Sequence, residues 1–296
     1  MKTIAVLGLG RIGGLVADLL DEVGLEVIGI DTYVSGEAAY DRVELDVTDS
    51  DALKASLSKV DAVVSCLPFS FNMDVATIAH TLGIHYFDLT EDVATTNFIR
   101  DLAETSEGLM APQCGLAPGL VGIIGSHFIS SLDTCRSAKL RVGALPQNPN
   151  GLLGYSFNWS PAGVVNEYLN DCEVIESGVR KTVSSMEWRE PYFIEGAELE
   201  ACTTSGGLGT MCETFEESVD NLDYKTLRYP GHFRLMNFFF HELLLRNRRE
   251  LAEEILSTAK PPVSDDYVYV HVAAEGMSDG RPVSYTHLTL PTTPYV

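Results

Sequence analysis

The chain has 296 residues, of which 45% are hydrophobic and 21% charged, a length and composition that suit two globular domains and exclude a disordered chain. Its 42 acids against 20 bases leave a formal charge of −22, which repels phosphate backbones and anionic bilayers and argues against nucleic acid or membrane as a partner. Six cysteines without a CxxC pair read as reduced thiols, and neither HExxH nor a Cys/His cluster suggests a metal.

Residues 3–7 form a short apolar run suited to a buried parallel strand. Met1 leads straight into it, which leaves no room for a signal peptide and points to a cytoplasmic protein. The run ends in Gly8-Leu9-Gly10-Arg11-Ile12-Gly13, after which Ile12, Leu15, Val16, Leu19, Leu20 and Val23 recur at helical spacing up to Gly24. Residues 26–30 are the next apolar run, closed by Asp31. A pyrophosphate reaches the open N–H groups at a helix start, here around Arg11 and Ile12, only where the preceding turn carries no side chains. Gly8 therefore makes the turn, Gly10 admits the phosphate and Gly13 lets helix meet strand. Asp31 lies eighteen residues past Gly13, where a carboxylate accepts from an adenosine ribose. Its charge repels a 2′-phosphate, so the expected cofactor is NAD.

A third strand is expected over residues 42–47. The loop at Asp46-Val47 then lies beside the adenine, with Asp46 reading equally well as a cap for a helix over 50–57. Residues 62–65 form a fourth strand running into Cys66-Leu67-Pro68, at the carboxyl end where the nicotinamide half of a cofactor lies. Helix 73–82, strand 84–88, helix 92–104 and strand 108–111 continue the alternation. The reading is α/β, a doubly wound parallel sheet of Rossmann type forming a nucleotide-binding domain over 1–118. Beyond it a helix runs to about Ser130. A second α+β domain over 119–281 follows, with a strand at 139–143, a short helix through Tyr168 and strands near 172–176, 180–183 and 198–203 in a mixed sheet.

Two stretches of this second domain can carry chemistry. Thr204, Ser205 and Gly206 put hydroxyls and bare backbone at the start of an expected helix, either an anion cradle for a substrate carboxylate or a plain N-cap. Residues 223–232 gather Lys225, Arg228, two tyrosines and His232 in an otherwise acidic chain. Arg228 is the candidate for bidentate carboxylate binding, while Lys225 and His232 compete for acid–base duty. In an ideal strand Lys225 and Arg228 point to opposite faces, so a shared pocket requires a sharp twist or a strand end near Arg228. Each of these side chains also reads as a solvated or structural group. Tyr-x-x-x-Lys occurs nowhere, which argues against a short-chain reductase.

With these segments placed, the chain resembles the saccharopine dehydrogenase family, and most closely its L-lysine 6-dehydrogenase branch. The resemblance rests on the N-terminal glycine loop, on Gly115-Leu116-Ala117-Pro118-Gly119, on Leu199-Glu200-Ala201 leading into Thr204-Ser205-Gly206-Gly207, and on residues 222–229 with Gly231-His232. It implies an NAD-linked homodimer whose second domain holds an amino acid and which oxidatively deaminates the ε-amine of lysine. It also implies that Asp88, at the carboxyl end of the fifth strand, pairs with the amine. The family's Asp-Leu-Gly-Gly-like turn is here Asp88-Leu89-Thr90-Glu91, a departure that bears on substrate identity. The alternatives are a saccharopine or carboxynorspermidine type dehydrogenase, which acts on a secondary amine and needs a second cationic clamp, and a non-catalytic NAD-binding regulatory dimer.

Residues 282–296 contain no Asp, Glu, Lys or Arg and resemble a translated transposase adapter, particularly over 283–293. The expectation is a natural sequence that stops near Arg281. Residues 267–273 alternate as a strand and 276–280 read as a hairpin turn, so that strand is expected to lack its partner and leave a bare edge.

Overall fold

The structure, a computed structural model, describes residues 2–289 and divides after Gly119 into two compact units. The first runs β1 (Thr3–Leu7), α1 (Arg11–Glu22), β2 (Glu26–Asp31), β3 (Asp41–Glu44), α2 (Ser50–Leu57), β4 (Ala62–Ser65), α3 (Asn72–Leu82), β5 (His85–Asp88), α4 (Val93–Ala103) and β6 (Met110–Ala111). The strands lie in the order β3-β2-β1-β4-β5-β6 with every pairing parallel. This is the expected doubly wound sheet, in which strand order reverses between β1 and β4 and opens a crevice at their carboxyl ends. Helices cover both faces, so the central strands β1 and β4 are mostly apolar, and Ala5, Leu7, Ile30, Val63 and Tyr86 are buried with Leu53, Leu57 and Ile99 from the helices. The third strand stops at Glu44, short of the expected 47. There Asp46 accepts from the Thr48 amide and hydroxyl, at 2.9 and 2.8 Å, and turns the chain toward α2.

The second unit contains α5 (Leu120–Ser130), β7 (Thr134–Pro146), α6 (Pro161–Leu169), β8 (Cys172–Glu176), β9 (Val179–Val183), β10 (Glu190–Ile194), β11 (Ala197–Thr203), α7 (Met211–Phe215), β12 (Val219–Arg228), α8 (His232–Asn237), α9 (Arg249–Ala259), β13 (Asp266–Ser278) and β14 (Arg281–Thr289). Its sheet runs β10-β11-β12-β7-β13-β14, with β8 on β12 and β9 on β8. Among the described residues of this sheet only β12 and β7 pair in parallel, which makes it mixed as expected. Strand β10 is an addition to the sequence reading. Its Pro191 argues against a central strand and is tolerated because β10 lies at the edge.

The bare edge is a correction. β13 continues through a bulge at Glu275/Gly276 to Ser278, and the turn is the Asp279-Gly280 pair, both at positive φ, as a two-residue hairpin requires. Residues 282–289, inside the segment expected to lie past the natural sequence, pair along β13 together with Arg281. Tyr285 stacks on Phe128 with ring centroids 5.6 Å apart. The rest of that segment, 290–296, lies outside the described residues. No helix among the described residues is long and apolar enough to cross a membrane.

Candidate functional site

The glycine turn is built from backbone. Gly8 sits at φ +83° and its N–H donates to the Ile30 carbonyl at 2.8 Å, tying the turn to β2. A Cβ on Gly13 would lie 1.7 Å from the Gly8 carbonyl oxygen, whereas one on Gly10 would meet nothing within 4 Å. The approach to the start of α1 is therefore open at Gly10 and closed behind by helix–strand contact. That helix has no side-chain cap and no acid in its first turn, while Asp49 caps α2 and Asp92 caps α4. Its first N–H groups, from Arg11 onward, are left to an anion.

Asp31 accepts from the Leu9 amide at 2.6 Å through Oδ2, and from the Thr32 hydroxyl and Tyr33 amide through Oδ1. Burial pushes its carboxyl up, but these hydrogen bonds outweigh it and hold the group below the usual carboxylate range. The ionised group has acceptor capacity left for a ribose. Cys66 and Leu67 flank the turn, each presenting an atom 3.1 Å from where a Gly8 Cβ would stand, and Pro68 follows them. Burial lifts the Cys66 thiol to about 11, so it stays protonated. Asp46 accepts from Thr48 through Oδ1 in its turn, next to Val47; the cap of α2 is Asp49, which corrects the alternative reading of Asp46 as that cap. The open helix start, the unobstructed Gly10 and the ionised Asp31 fit a dinucleotide.

The structure removes Asp88 from the groups that reach a substrate. It is 0% exposed, and its oxygens accept from the Tyr86 hydroxyl at 2.8 Å and the amides of Thr90 and Gln113 at 2.9 and 3.1 Å. Burial raises its carboxyl against the pull of these bonds, and its work is to fasten the loops after β5 and β6.

Lys225 and Arg228 do not share a pocket, because β12 stays regular through both and they leave opposite faces. On one face Lys225 Nζ donates to the Trp188 carbonyl at 2.7 Å and lies 3.2 Å from Glu190 and 3.9 Å from Asp223. Arg141, its register partner on β7, pairs with the same two carboxylates at 2.9 Å each. On the other face the Arg228 guanidinium lies over the Tyr155 ring, 4.5 Å from its centroid, and Glu167 is its counter-ion at 3.7 Å. Arg228 Nε donates to the Tyr168 hydroxyl at 2.7 Å, and that hydroxyl is 2.9 Å from His232 Nε2. His232 Nδ1 faces the Leu153 carbonyl at 2.9 Å. A carbonyl only accepts, so Nδ1 carries the proton and Nε2 accepts from Tyr168.

Burial, then the Arg228 charge, drops the His232 imidazole to about 3. Sealed, neutral and bonded at both nitrogens, His232 is no acid–base group. Arg228 is likewise 2% exposed and spent on internal partners, so the expected carboxylate clamp is a buried structural cation. The cradle at Thr204, Ser205 and Gly206 is also corrected. The helix starts only at Met211 and has five residues, the Thr204 hydroxyl bonds the Thr226 hydroxyl at 2.6 Å, and the Ser205 amide donates to the Glu167 carbonyl.

Sequence reasoning missed Glu167, Tyr155 and Arg141, although two of them left a trace. Glu167 sits among Val164, Val165 and Tyr168 on the buried face of α6, and Arg141 interrupts Leu140 and Val142 on β7. A charge at a core position signals a buried partner. Among the described residues, no group of three or more His, Cys, Asp or Glu is placed to hold a metal ion.

Residues 4–111 match the family profile described as saccharopine dehydrogenase NADP binding domain, and residues 115–286 the one described as saccharopine dehydrogenase C-terminal domain. The chain belongs to the saccharopine dehydrogenase family. A family member from Schizosaccharomyces pombe, saccharopine dehydrogenase [NADP(+), L-glutamate-forming], is 25% identical over 249 residues, covering 78% of this chain and 53% of that protein. The Saccharomyces cerevisiae protein of the same description is 28% identical over 258 residues, covering 78% and 55%. The chain thus spans about half the length of the curated relatives it matches. The apo structure of saccharopine dehydrogenase (L-Glu forming) from Saccharomyces cerevisiae superposes with a TM-score of 0.72 at 18% identity, over 98% of this chain and 85% of that one, a likeness of fold.

Proposed function

We propose that this chain is a pyridine-nucleotide oxidoreductase acting on the CH–NH bond of an amino acid, with NAD as its nucleotide. The observation that carries the reading is the open helix start of α1 beside an ionised Asp31 at the end of β2. A carboxylate there favours a free ribose hydroxyl and repels a 2′-phosphate. Arg42 on β3 is held by the carbonyls of Ser35 and Gly36 instead of being offered to a phosphate. The matched profile and the curated relatives are NADP-linked, and Asp31 is the residue that argues for a different preference here. A dinucleotide held at this turn by its pyrophosphate would supply a nicotinamide as hydride acceptor.

For the substrate, the favoured reading is oxidative deamination of the lysine ε-amine. The buried cations of the second unit, Arg141, Lys225 and Arg228, each already face a carboxylate of the chain, which disfavours a substrate bearing several carboxylates. A saccharopine-type secondary amine is the second reading, favoured by the names of the relatives.

Calorimetric titration with NAD and NADP, followed by NADH formation with L-lysine, saccharopine and diamines, separates these. NAD is expected to bind more tightly than NADP. Asp31→Ala should weaken NAD by about tenfold to a hundredfold, the loss of hydrogen bonds to a charged acceptor. Asp31→Asn, which keeps an acceptor for Leu9, should narrow the preference for NAD over NADP. Failure of NAD to bind, or an Asp31→Ala variant with unchanged affinity, ends the reading. NAD binding without turnover of any amine replaces it with a regulatory nucleotide-binding protein.

A further inference from the structure

The apolar stretch that follows α8 does not pass wholly into the core. Phe240 is buried, but Phe238, Leu243 and Leu244 are each about half exposed. Residues Phe238–Glu242 form a π-helical turn, the Leu243 amide donates to the Phe238 carbonyl at 3.0 Å, and Leu244 stands in the left-handed region at φ +59°. A leucine is strained there, and such strain persists where the surrounding structure imposes it. Its effect is to leave two leucines and a phenylalanine together at the surface, where grouped apolar side chains mark a contact.

Arginine frames this turn. Residues 234–249 contain Arg234, Arg246, Arg248 and Arg249 against one acid, Glu242, in a chain whose formal charge is −22. All four arginines are exposed, and no ion pair among the described residues includes any of them. Arg246 meets the His241 ring, and Arg249 takes the amide oxygens of Asn166 and Asn170. The sign then reverses along α9. Glu250 and Glu254 are exposed one turn apart, with Ile255 exposed beside them, while Ala252 and Leu256 face the core. Like charges at that spacing repel along a helix, and no ion pair among the described residues offsets them.

We propose that this surface docks a second copy of the chain. A two-fold pairing across the start of α9 sets the arginines of each copy against Glu250 and Glu254 of the other and closes Phe238, Leu243, Leu244 and Ile255 between them. A two-fold contact uses one patch twice, so the patch has to be complementary to itself. A basic segment followed at once by an acidic one meets that condition. Aromatic rings and arginine are also the groups that anchor such contacts. The pairing is independent of the nucleotide reading, and its test needs no cofactor.

Sedimentation velocity over a concentration series of the full chain is expected to show a dimer that weakens as salt rises. Arg246→Glu with Arg248→Glu should weaken it about hundredfold or more, and so should Glu250→Arg with Glu254→Arg, since each double variant puts like charges across the contact. An equimolar mixture of the two double variants should dimerise again, because reversed arginines then face reversed glutamates. Misfolded chains do not recover on mixing, so the restored dimer separates lost contact from lost fold. Leu244→Gly relieves the left-handed backbone and removes the side chain. It should weaken the dimer about tenfold or more while the monomer melts no lower than before. A wild-type chain that stays monomeric at about 100 μM, far above the Kd of a specific dimer, overturns the proposal. A dimer that the charge reversals or Leu244→Gly leave intact overturns it too, as does dissociation by both reversals without recovery on mixing.

Discussion

Two clusters of buried charge lie back to back on β12, and they differ in what surrounds them. Around Arg228 the side chains of both ions are under 10% exposed, at 2% for Arg228 and 9% for Glu167, and tyrosine rings fill the remaining space. Around Lys225 the cluster opens at one side, where the Glu190 side chain is 35% exposed. Water can re-solvate an ion on the open face, whereas on the sealed face water does not reach an ion whose counter-ion is removed. Alternate residues of one strand therefore carry charges of very different consequence.

The largest test of this difference is a matched pair of substitutions. Arg228→Met removes the cation that faces the buried Glu167 carboxylate and should cost about 3–5 kcal/mol, read as a fall in the urea midpoint at unchanged slope. Lys225→Met leaves Glu190 with Arg141 and solvent, and should cost about 1–2 kcal/mol, closer to a single charged hydrogen bond. Equal losses would erase the distinction between the faces.

This contrast also marks where the sequence is readable. The glycine turn, α1 and Asp31 are encoded within one short segment, because the spacing of glycines, apolar periodicity and a strand-end acid act on neighbouring residues. The doubly wound sheet follows from the same local alternation. Arg141 meets Lys225 only through the parallel register of β7 and β12, and Glu167 meets Arg228 only once α6 packs over the sheet. No local pattern contains those pairings. The strand-end rule also finds Asp88 but cannot tell that Tyr86, Thr90 and Gln113 exhaust it. At Thr204 the hydroxyls are visible, yet the helix they were expected to start waits until Met211.

A smaller effect comes with pH, and it belongs to the sealed face. The folded His232 imidazole titrates at about 3 against an ordinary value of 6.5. Above about 6.5 both folded and unfolded states hold it neutral and it costs nothing. As pH falls through that window the unfolded chain takes up a proton that the buried ring refuses, so stability is lost on acidification and the loss levels off only near 3. The full span amounts to on the order of 3 kcal/mol after allowance for relaxation of the buried site. Stability measured across the window should fall more steeply for the wild type than for His232→Gln, the difference cancelling the carboxylates common to both. Parallel slopes would show that water reaches the ring and that the face is not sealed.

The finest comparison removes one phenol oxygen from each face. Tyr168→Phe leaves Arg228 Nε–H and His232 Nε2 without their shared partner, and two buried polar groups unsatisfied together should cost about 2–3 kcal/mol. Tyr192 on β10 bonds His271 Nδ1 at 2.7 Å, a contact only half-buried on the open face. Burial and Arg141 hold His271 below its ordinary value, so the ring that Tyr192 leaves behind is neutral and within reach of water. Tyr192→Phe should therefore cost about 1 kcal/mol or less. Tyr168 holds two hydrogen bonds and Tyr192 one, so a twofold ratio of losses reflects their number alone; an excess beyond twofold measures what the low dielectric around Arg228 contributes, and a ratio of two or less shows that enclosure adds nothing.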